Sequence, residues 1–267
     1  MAATPINYFL ERLARSGPAF VVQIGANDGI SGDPVRSFVE RYRWPGILVE
    51  PLPDVFAKLE RNYRGSPQIK LENCAIGGGH ELTLYRVRAD IAERAPWLHE
   101  LASFDREVVL RHQFLLPDIA NHIVEERVPS ISFSALMDRH GVDRFDVLAI
   151  DTEGYDLEIL KQVDFPRHRP RVVIYEHKHL SAAQQSEART LLGEADYVTL
   201  QEEFDTLGLR RDWVATGSAI EDYEVFAQFQ EQLQSARQIQ SYLSTGGVFR
   251  VARGPLGGWS ITRIAES

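Results

Sequence analysis

The stretch from Phe20 to Gly29, FVVQIGANDG, constrains this chain more than any other, because an apolar run stops there at a glycine turn. Phe20, Val21, Val22 and Ile24 are β-branched or aromatic, the composition of a strand buried on both faces of a parallel sheet. A loop has to follow such a strand. Gly25 and Gly29 supply backbone angles that other residues resist, and they let a ligand approach the main chain closely. The turn is therefore the expected cradle of a cofactor.

Two cofactor classes use a glycine turn after a first strand, and the spacing separates them. Gly25-Ala26-Asn27-Asp28-Gly29 lacks the G-x-G-x-x-G order that seats a pyrophosphate at a helix N-terminus, which disfavours a nicotinamide-dependent oxidoreductase. Asp28 points the same way. A carboxylate repels a pyrophosphate, whereas it attracts a ligand carrying a sulfonium and an α-ammonium. S-adenosylmethionine carries both.

Gly46 to Glu50, GILVE, is a second short strand that ends in an acid. Glu50 lies 50 − 25 = 25 positions after Gly25, near the offset of about 20 at which an acid grips ribose hydroxyls. Between the two, Asp33 to Tyr42 reads as a crossover helix with Asp33 as N-cap and Pro34 at its first position. Asp54 to Tyr63 reads as the next helix. Ile69 to Ile76 reads as a third strand, whose polar end, Asn73, Cys74 and Ala75, is a candidate lining for the adenine.

Strand and helix alternate again after residue 130. Phe145 to Ile150 is a strand capped by Asp151, Thr152, Glu153 and Gly154, and Val172 to Tyr175 is another, followed by Glu176-His177-Lys178-His179. Tyr197 to Leu200 and Thr206 to Leu209 complete the set. The alternation specifies an α/β protein with an open, mostly parallel twisted sheet and helices on both faces, a Rossmann-like arrangement. Ligands of such sheets lie beyond the carboxyl ends of the strands, where Gly25, Glu50, Asn73, Asp151, Glu153, Glu176 and His177 all fall.

Three segments stand outside that alternation. Residues 1–18 carry Ile6, Phe9, Leu10 and Leu13 at helical spacing and read as an N-terminal lid helix before a domain spanning 19–218. Residues 89–130 break the pattern and read as a largely helical insertion capping the substrate, with Ser103, Arg106 and His112, together with Glu176, as candidate substrate contacts. Residues 219–267 form an extension, glutamine-rich and helical over Tyr223 to Leu243 and then strand-like. It is expected to pack on the core or to pair with another subunit in a homo-oligomer.

Composition narrows the partners. The formal charge of 29 − 38 = −9 and the lack of a basic cluster argue against nucleic acid and anionic membranes. No stretch reaches the length of a membrane span, and the first residues lack a signal-peptide apolar core. One cysteine, Cys74, leaves no internal disulfide or multi-cysteine zinc site. A cytoplasmic protein is expected.

The assembled motifs resemble the FkbM-type S-adenosylmethionine-dependent methyltransferases. The matching stretches are VQIGANDG at 22–29, ILVEPLPDVFAKLERNY at 47–63, NCAIG at 73–77, DVLAIDTEGYDLEIL at 146–160, VVIYEHKHL at 172–180 and FDTLGLR at 204–210. The resemblance implies the class I methyltransferase fold, and cofactor contacts around Gly25, Asn27, Gly29, Glu50 and the stretch Asn73, Cys74 and Ala75; Gln23, Asp28 and Asp151 are further candidate cofactor contacts. It also implies a site at Asp151 and Glu153, and O-methylation of a hydroxyl on a small-molecule acceptor such as a sugar, glycan or natural product. Gln23 and Ala149 depart from it, since many members have an acid and a lysine at those positions.

Methyl transfer from a sulfonium is an in-line displacement, so alignment and removal of the hydroxyl proton are the protein's tasks. His177 is the first candidate for general base, with Asp151 second and Glu153 beside them. Asp151 and Glu176 can alternatively hold a divalent cation that acidifies the acceptor, although no metal is specified by spacing. A cofactor-binding module without chemistry is the non-enzymatic alternative.

Overall fold

The computed structural model describes residues 4–92, 98, 101–215, 228–229, 231, 247–253 and 259–266. Its strands in chain order are β1 Val21–Ile24, β2 Gly46–Val49, β3 Ile69–Glu72, β4 Ala75–Ile76, β5 Leu82–Val87, β6 Ala102–Ser103 and β7 Ile123–Val128. They continue with β8 Ser130–Ile131, β9 Val147–Ile150, β10 Val172–Glu176, β11 Tyr197–Gln201, β12 Asp205–Arg210, β13 Gly247–Arg253 and β14 Trp259–Glu266. Seven of these make one sheet in the order β11-β12-β10-β9-β1-β2-β3. Its pairs are parallel from β10 through β3, and β12 alone runs antiparallel to both its neighbours. The expected open, mostly parallel sheet is present, and the chain reverses its winding between β1 and β9.

Alternation along the central strands explains the layering. Val21, Leu48, Val147, Ala149, Val172 and Ile174 face one side, where they pack with Phe9, Leu10 and Leu13 of helix Pro5–Arg15 and with Phe38 and Val39 of helix Arg36–Tyr42. Val22, Ile24, Ile47, Val49, Leu148, Ile150 and Val173 face the other, against helices Phe133–His140, Asp156–Leu160 and Ala182–Glu194. Four-residue strands buried at every position have no solvent face to mark, which is why they read as continuous apolar runs.

Three expectations need correcting. Helix Pro5–Arg15 does not act as a lid: Phe9, Leu10 and Leu13 are fully buried against the sheet face, and Ile6 N–H donates to Glu202 Oε1 at 2.8 Å. Its apolar stripe belongs to the core. The third strand does not run unbroken to Ile76. The Asn73 amide donates to the carbonyls of Glu50 and Pro51 at 2.9 and 3.1 Å, and the chain leaves the main sheet there so that β4 pairs with β8.

Among its described residues the insertion is only partly helical, holding strands beside the short helices Ala89–Ala92 and Arg106–Leu110. β6 and β7 flank β5 in an antiparallel sheet of three strands, with only a short helix, Arg106–Leu110, and two 3₁₀ turns between them. Cross-strand pairing recruits Ile123–Val128, whose charged outer positions hid it from a reading based on apolar runs. Buried Arg86 of β5 ties this sheet to the helix over Pro53–Tyr63, bonding Asp54 at 2.6 and 2.9 Å and Glu126 at 3.0 Å. The helix expected over Tyr223 to Leu243 lies largely outside the described residues. Beyond it β13 and β14 form an antiparallel hairpin. Among the described residues no helix is long and apolar enough to cross a membrane.

Candidate active site

A cavity of about 170 Å³ opens at the carboxyl ends of β1, β2 and β9. The β1 turn, the loop at Ser31–Pro34 and the acid end of β2 form one wall. Leu84 of β5 with Ala102 and Phe104 of the insertion form another, and Asp151, Thr152, Glu153 and Asp205 form the floor toward β10. The strand reversal between β1 and β9 produces this crevice, because the crossovers leave toward opposite faces.

Gly25 is required here for a reason other than ligand approach. Its φ is +80°, and a Cβ would stand 1.7 Å from the Asp151 carbonyl oxygen. The absent side chain is what lets the end of β9 lie against the turn. Gly29, at φ +71°, is similarly demanded by the Tyr63 ring and Leu59, at 2.5 and 2.6 Å from a built Cβ. Gly25 and Asn27 line the cavity, whereas Asp28 and Gly29 are not among its lining residues. Asp28 instead accepts from the N–H groups of Ile30 and Ser31 at 2.8 and 2.9 Å, and so closes its own turn.

Glu50 is buried, and both its oxygens are positioned by backbone donors: Leu52 N–H to Oε1 at 2.9 Å and Asn27 N–H to Oε2 at 3.0 Å. Each oxygen keeps a lone pair for a hydroxyl. Burial raises its pKa to about 7 against those two bonds, which act to lower it. Cys74 and Ala75 line the cavity beside Leu52 and Ile76, while Asn73 is outside the lining and holds the loop behind Glu50. Burial raises the Cys74 thiol to about 11, so it is a neutral apolar wall.

At the turn's other side, Gln23 Oε1 and Asp33 Oδ2 are buried acceptors with no hydrogen-bond partner. Asp33 uses Oδ1 to accept from Val35 and Arg36 N–H at 2.8 and 2.9 Å. Both residues line the cavity. Two orphaned acceptors answer an ammonium group, and two free lone pairs on Glu50 answer a vicinal diol, so the residues present fit S-adenosylmethionine. Asp33 was read as a helix cap only. Its second oxygen supplies a carboxylate beside Gln23.

Asp151 lines the cavity with its side chain open to solvent, and its pKa is raised, first by desolvation among the surrounding crevice walls and then by the like charges of Glu153, Asp156 and Asp205. Glu153 lies next to it in a left-handed conformation, φ +52°, and Ser103 Oγ clamps its carbonyl with a 2.6 Å bond. Ser103 is itself buried at 1 % exposure, so it positions the Glu153 loop and does not meet a substrate. Arg106 is exposed and does not line the cavity. His112 Nδ1 donates to the Val108 carbonyl at 3.1 Å, and its ring lies 5.8 Å from that of His179.

The general base expected at His177 is not at the site. Its backbone N–H donates to the Phe204 carbonyl at 2.8 Å, and its Nδ1 is 3.0 Å from Thr206 Oγ1 on β12. The tight turn that follows, closed by Leu180 N–H on the His177 carbonyl, swings His179 back instead. His179 Nε2 is 2.9 Å from Glu153 Oε2 and 3.8 Å from Glu176 Oε2. The spacing of Glu176 and His179, three residues apart across a turn, is the signal that could have found this histidine. Burial and then Asp151 and Glu153 raise the Glu176 pKa to about 10.

A seven-stranded sheet with one antiparallel strand next to its edge, a glycine turn after β1 and a ribose-suited acid after β2 define a class I methyltransferase. The chain belongs to the family of the methyltransferase FkbM domain, whose model matches residues 23–199, and so to the S-adenosylmethionine-dependent methyltransferases. A solved methyltransferase FkbM from Methylobacillus flagellatus KT is similar at 15% identity, covering 72% of this chain and 43% of that one, with a TM-score of 0.44. This chain thus spans less than half of that protein. The N-terminal domain of human METTL16 in complex with SAH matches at 12% identity, 76% and 66% coverage and a TM-score of 0.41. A ribosomal protein L11 methylase from Lactobacillus delbrueckii subsp. bulgaricus matches at 12%, 76% and 74%, with a TM-score of 0.37. No curated protein matches the chain.

Proposed function

We propose that this protein methylates a hydroxyl of a neutral, polyhydroxylated acceptor, a sugar, glycan or natural product, with Asp151 taking the proton. The observation that carries this reading is the acidic floor: Asp151, Glu153 and Asp205 line the cavity, and no lysine, arginine or histidine is among its described lining residues. Carboxylates accept from several hydroxyls at once, and they disfavour a phosphorylated or nucleic acid acceptor.

The cofactor supplies an electrophilic methyl group. Glu50 would hold its ribose, Gln23 and Asp33 its ammonium, and Leu52, Cys74, Ala75 and Ile76 its base. Asp151 would take the proton of the acceptor hydroxyl, whose oxygen the bound cofactor would methylate, leaving S-adenosylhomocysteine. A carboxylate whose proton affinity is raised by desolvation and like charges is a stronger base than one in water. Ala102 and Phe104 form the cavity wall across from that carboxylate.

A labelled-methyl assay over neutral polyols, phosphorylated sugars and amines tests the reading. Neutral hydroxyl acceptors are expected to be methylated. Asp151→Asn is expected to lower kcat by about 10²–10⁴-fold with little change in S-adenosylhomocysteine affinity, while His177→Gln keeps turnover per folded molecule. Transfer to amines alone, or full kcat in Asp151→Asn, would overturn it.

A further inference from the structure

We infer that Glu153, Glu176 and His179 form a binding site for one divalent first-row transition cation, at the acceptor end of the cavity. One ligand atom from each residue lies within 4.8 Å of the other two. The site is built from two elements: Glu153 from the turn after β9, Glu176 and His179 from the end of β10 and the turn behind it. Neither spacing nor charge alone makes it a site. Its distinguishing feature is that Glu153 Oε2, Glu176 Oε2 and His179 Nε2 are all buried and all without a hydrogen-bond partner.

Two of the three side chains are almost wholly enclosed, Glu176 at 8 % and His179 at 7 % exposure. A buried polar atom is normally satisfied by protein or water, and leaving one orphaned carries its full desolvation penalty. Three orphans sharing one point call for a common partner. Glu153 and His179 approach to 2.9 Å, yet the alignment is wrong for a hydrogen bond between them. Donor atoms around a cation held by bonds of about 2.1 Å sit roughly 3–3.5 Å apart, so separations of 2.9 and 3.8 Å already bracket what coordination needs.

The donor set fixes the chemical class. Two carboxylates and one imidazole suit Mn²⁺, Fe²⁺ or Zn²⁺ better than Ca²⁺ or Mg²⁺, which favour all-oxygen shells. Three protein ligands leave at least one coordination position, and Glu153 also lines the cavity. An acceptor oxygen bound there would lose its proton more readily, with Asp151 receiving it. That last role rests on the hydroxyl-methylation reading, whereas the metal site itself does not.

The test uses the full chain, stripped with chelator and titrated with Mn²⁺ alone while the free ion is followed by electron paramagnetic resonance. One saturable Mn²⁺ per chain is expected, displaced by Zn²⁺. Glu176→Gln and His179→Gln are each expected to weaken it at least tenfold, with S-adenosylhomocysteine binding checked on the same samples to show that the variants are folded. No saturable binding, or undiminished binding in both folded variants, overturns the site. Mn²⁺ binding in a protein that ignores S-adenosylhomocysteine would support the metal site and sink the methyl-transfer reading. The reverse result would do the opposite.

Discussion

Gly25→Ala should damage this protein far more than a glycine-to-alanine change at another left-handed position, because two separate penalties meet there. The first is conformational. Gly25 has φ +80°, and an L-residue in that region costs about 1–2 kcal/mol. The second is steric: the new Cβ would stand 1.7 Å from the Asp151 carbonyl oxygen, where 3.0 Å is the practical minimum, so the strand ends must part by at least 3.0 − 1.7 = 1.3 Å. The Asp151 N–H to Ile24 carbonyl bond, now 2.9 Å, cannot survive that movement. Its loss adds about 1–3 kcal/mol, giving roughly 2–5 kcal/mol in all.

Gly141→Ala isolates the first penalty. Gly141 ends helix Phe133–His140 at φ +63° with nothing within 4 Å of a built Cβ, so only the conformational cost of about 1–2 kcal/mol applies. Urea unfolding of both variants and the parent, followed by circular dichroism with slopes compared, gives the difference directly. Gly25→Ala is also expected to lose S-adenosylhomocysteine binding, since Asp151 and the turn move together, and Gly141→Ala to keep it. Equal unfolding midpoints for the two variants would refute the claim that close packing of β9 on the turn is what demands Gly25.

Two further outcomes follow from buried acids. Glu50→Gln replaces an oxygen that accepts from a backbone N–H with an NH₂ group, so S-adenosylhomocysteine affinity measured by calorimetry should fall by about 10–100-fold. With the Glu50 pKa at about 7, parent affinity should drop as pH falls through 7, and a flat profile from pH 6 to 8 would remove Glu50 from ribose binding. Asp156 is wholly buried and raised from 3.8 to about 7, chiefly by burial. The native state therefore binds the extra proton, and stability falls as pH rises from about 4 through about 7, by ~4 kcal/mol at most. Asp156→Asn should narrow that fall, standing above the parent in urea at pH 8 and losing the advantage at pH 5. A difference independent of pH would sink the argument.

How far the sequence could be read depended on what kind of signal each part left. β1, β2, β9 and β10 are buried on both faces, so their apolar runs announced them, and the acids and glycines at their ends marked the crevice. Features made by long-range contact left no such mark. Asp33 reads as an ordinary helix cap until its second oxygen is found unpartnered beside Gln23. His177 and His179 are indistinguishable as letters, and only the turn at Leu180 decides which ring meets Glu153. β7 carries three successive charged residues, Glu125, Glu126 and Arg127, so no period-two pattern marks it, and its pairing with β5 fixes it as strand. Asp28 looked like a ligand group although its carboxylate is consumed by Ile30 and Ser31 N–H.

The position of Glu153 connects these observations. A non-glycine residue at φ +52° is held there against its preference, and the Ser103 hydroxyl on its carbonyl supplies the restraint from a different sheet. That strand, β6, also carries Ala102, and Phe104 follows it, both lining the cavity wall across from the acids. The insertion is thus wall and restraint at once. An acceptor pressing on Ala102 or Phe104 bears on the same two-residue strand that fixes Glu153, and through it on the buried cluster with Glu176 and His179. Carboxylates gathered at the strand tips oppose folding through desolvation and mutual repulsion, and a chain that only needed a stable crevice would place neutral side chains there. Retaining that cost on a restrained turn is what a site requires when protons or cations have to be held next to an acceptor.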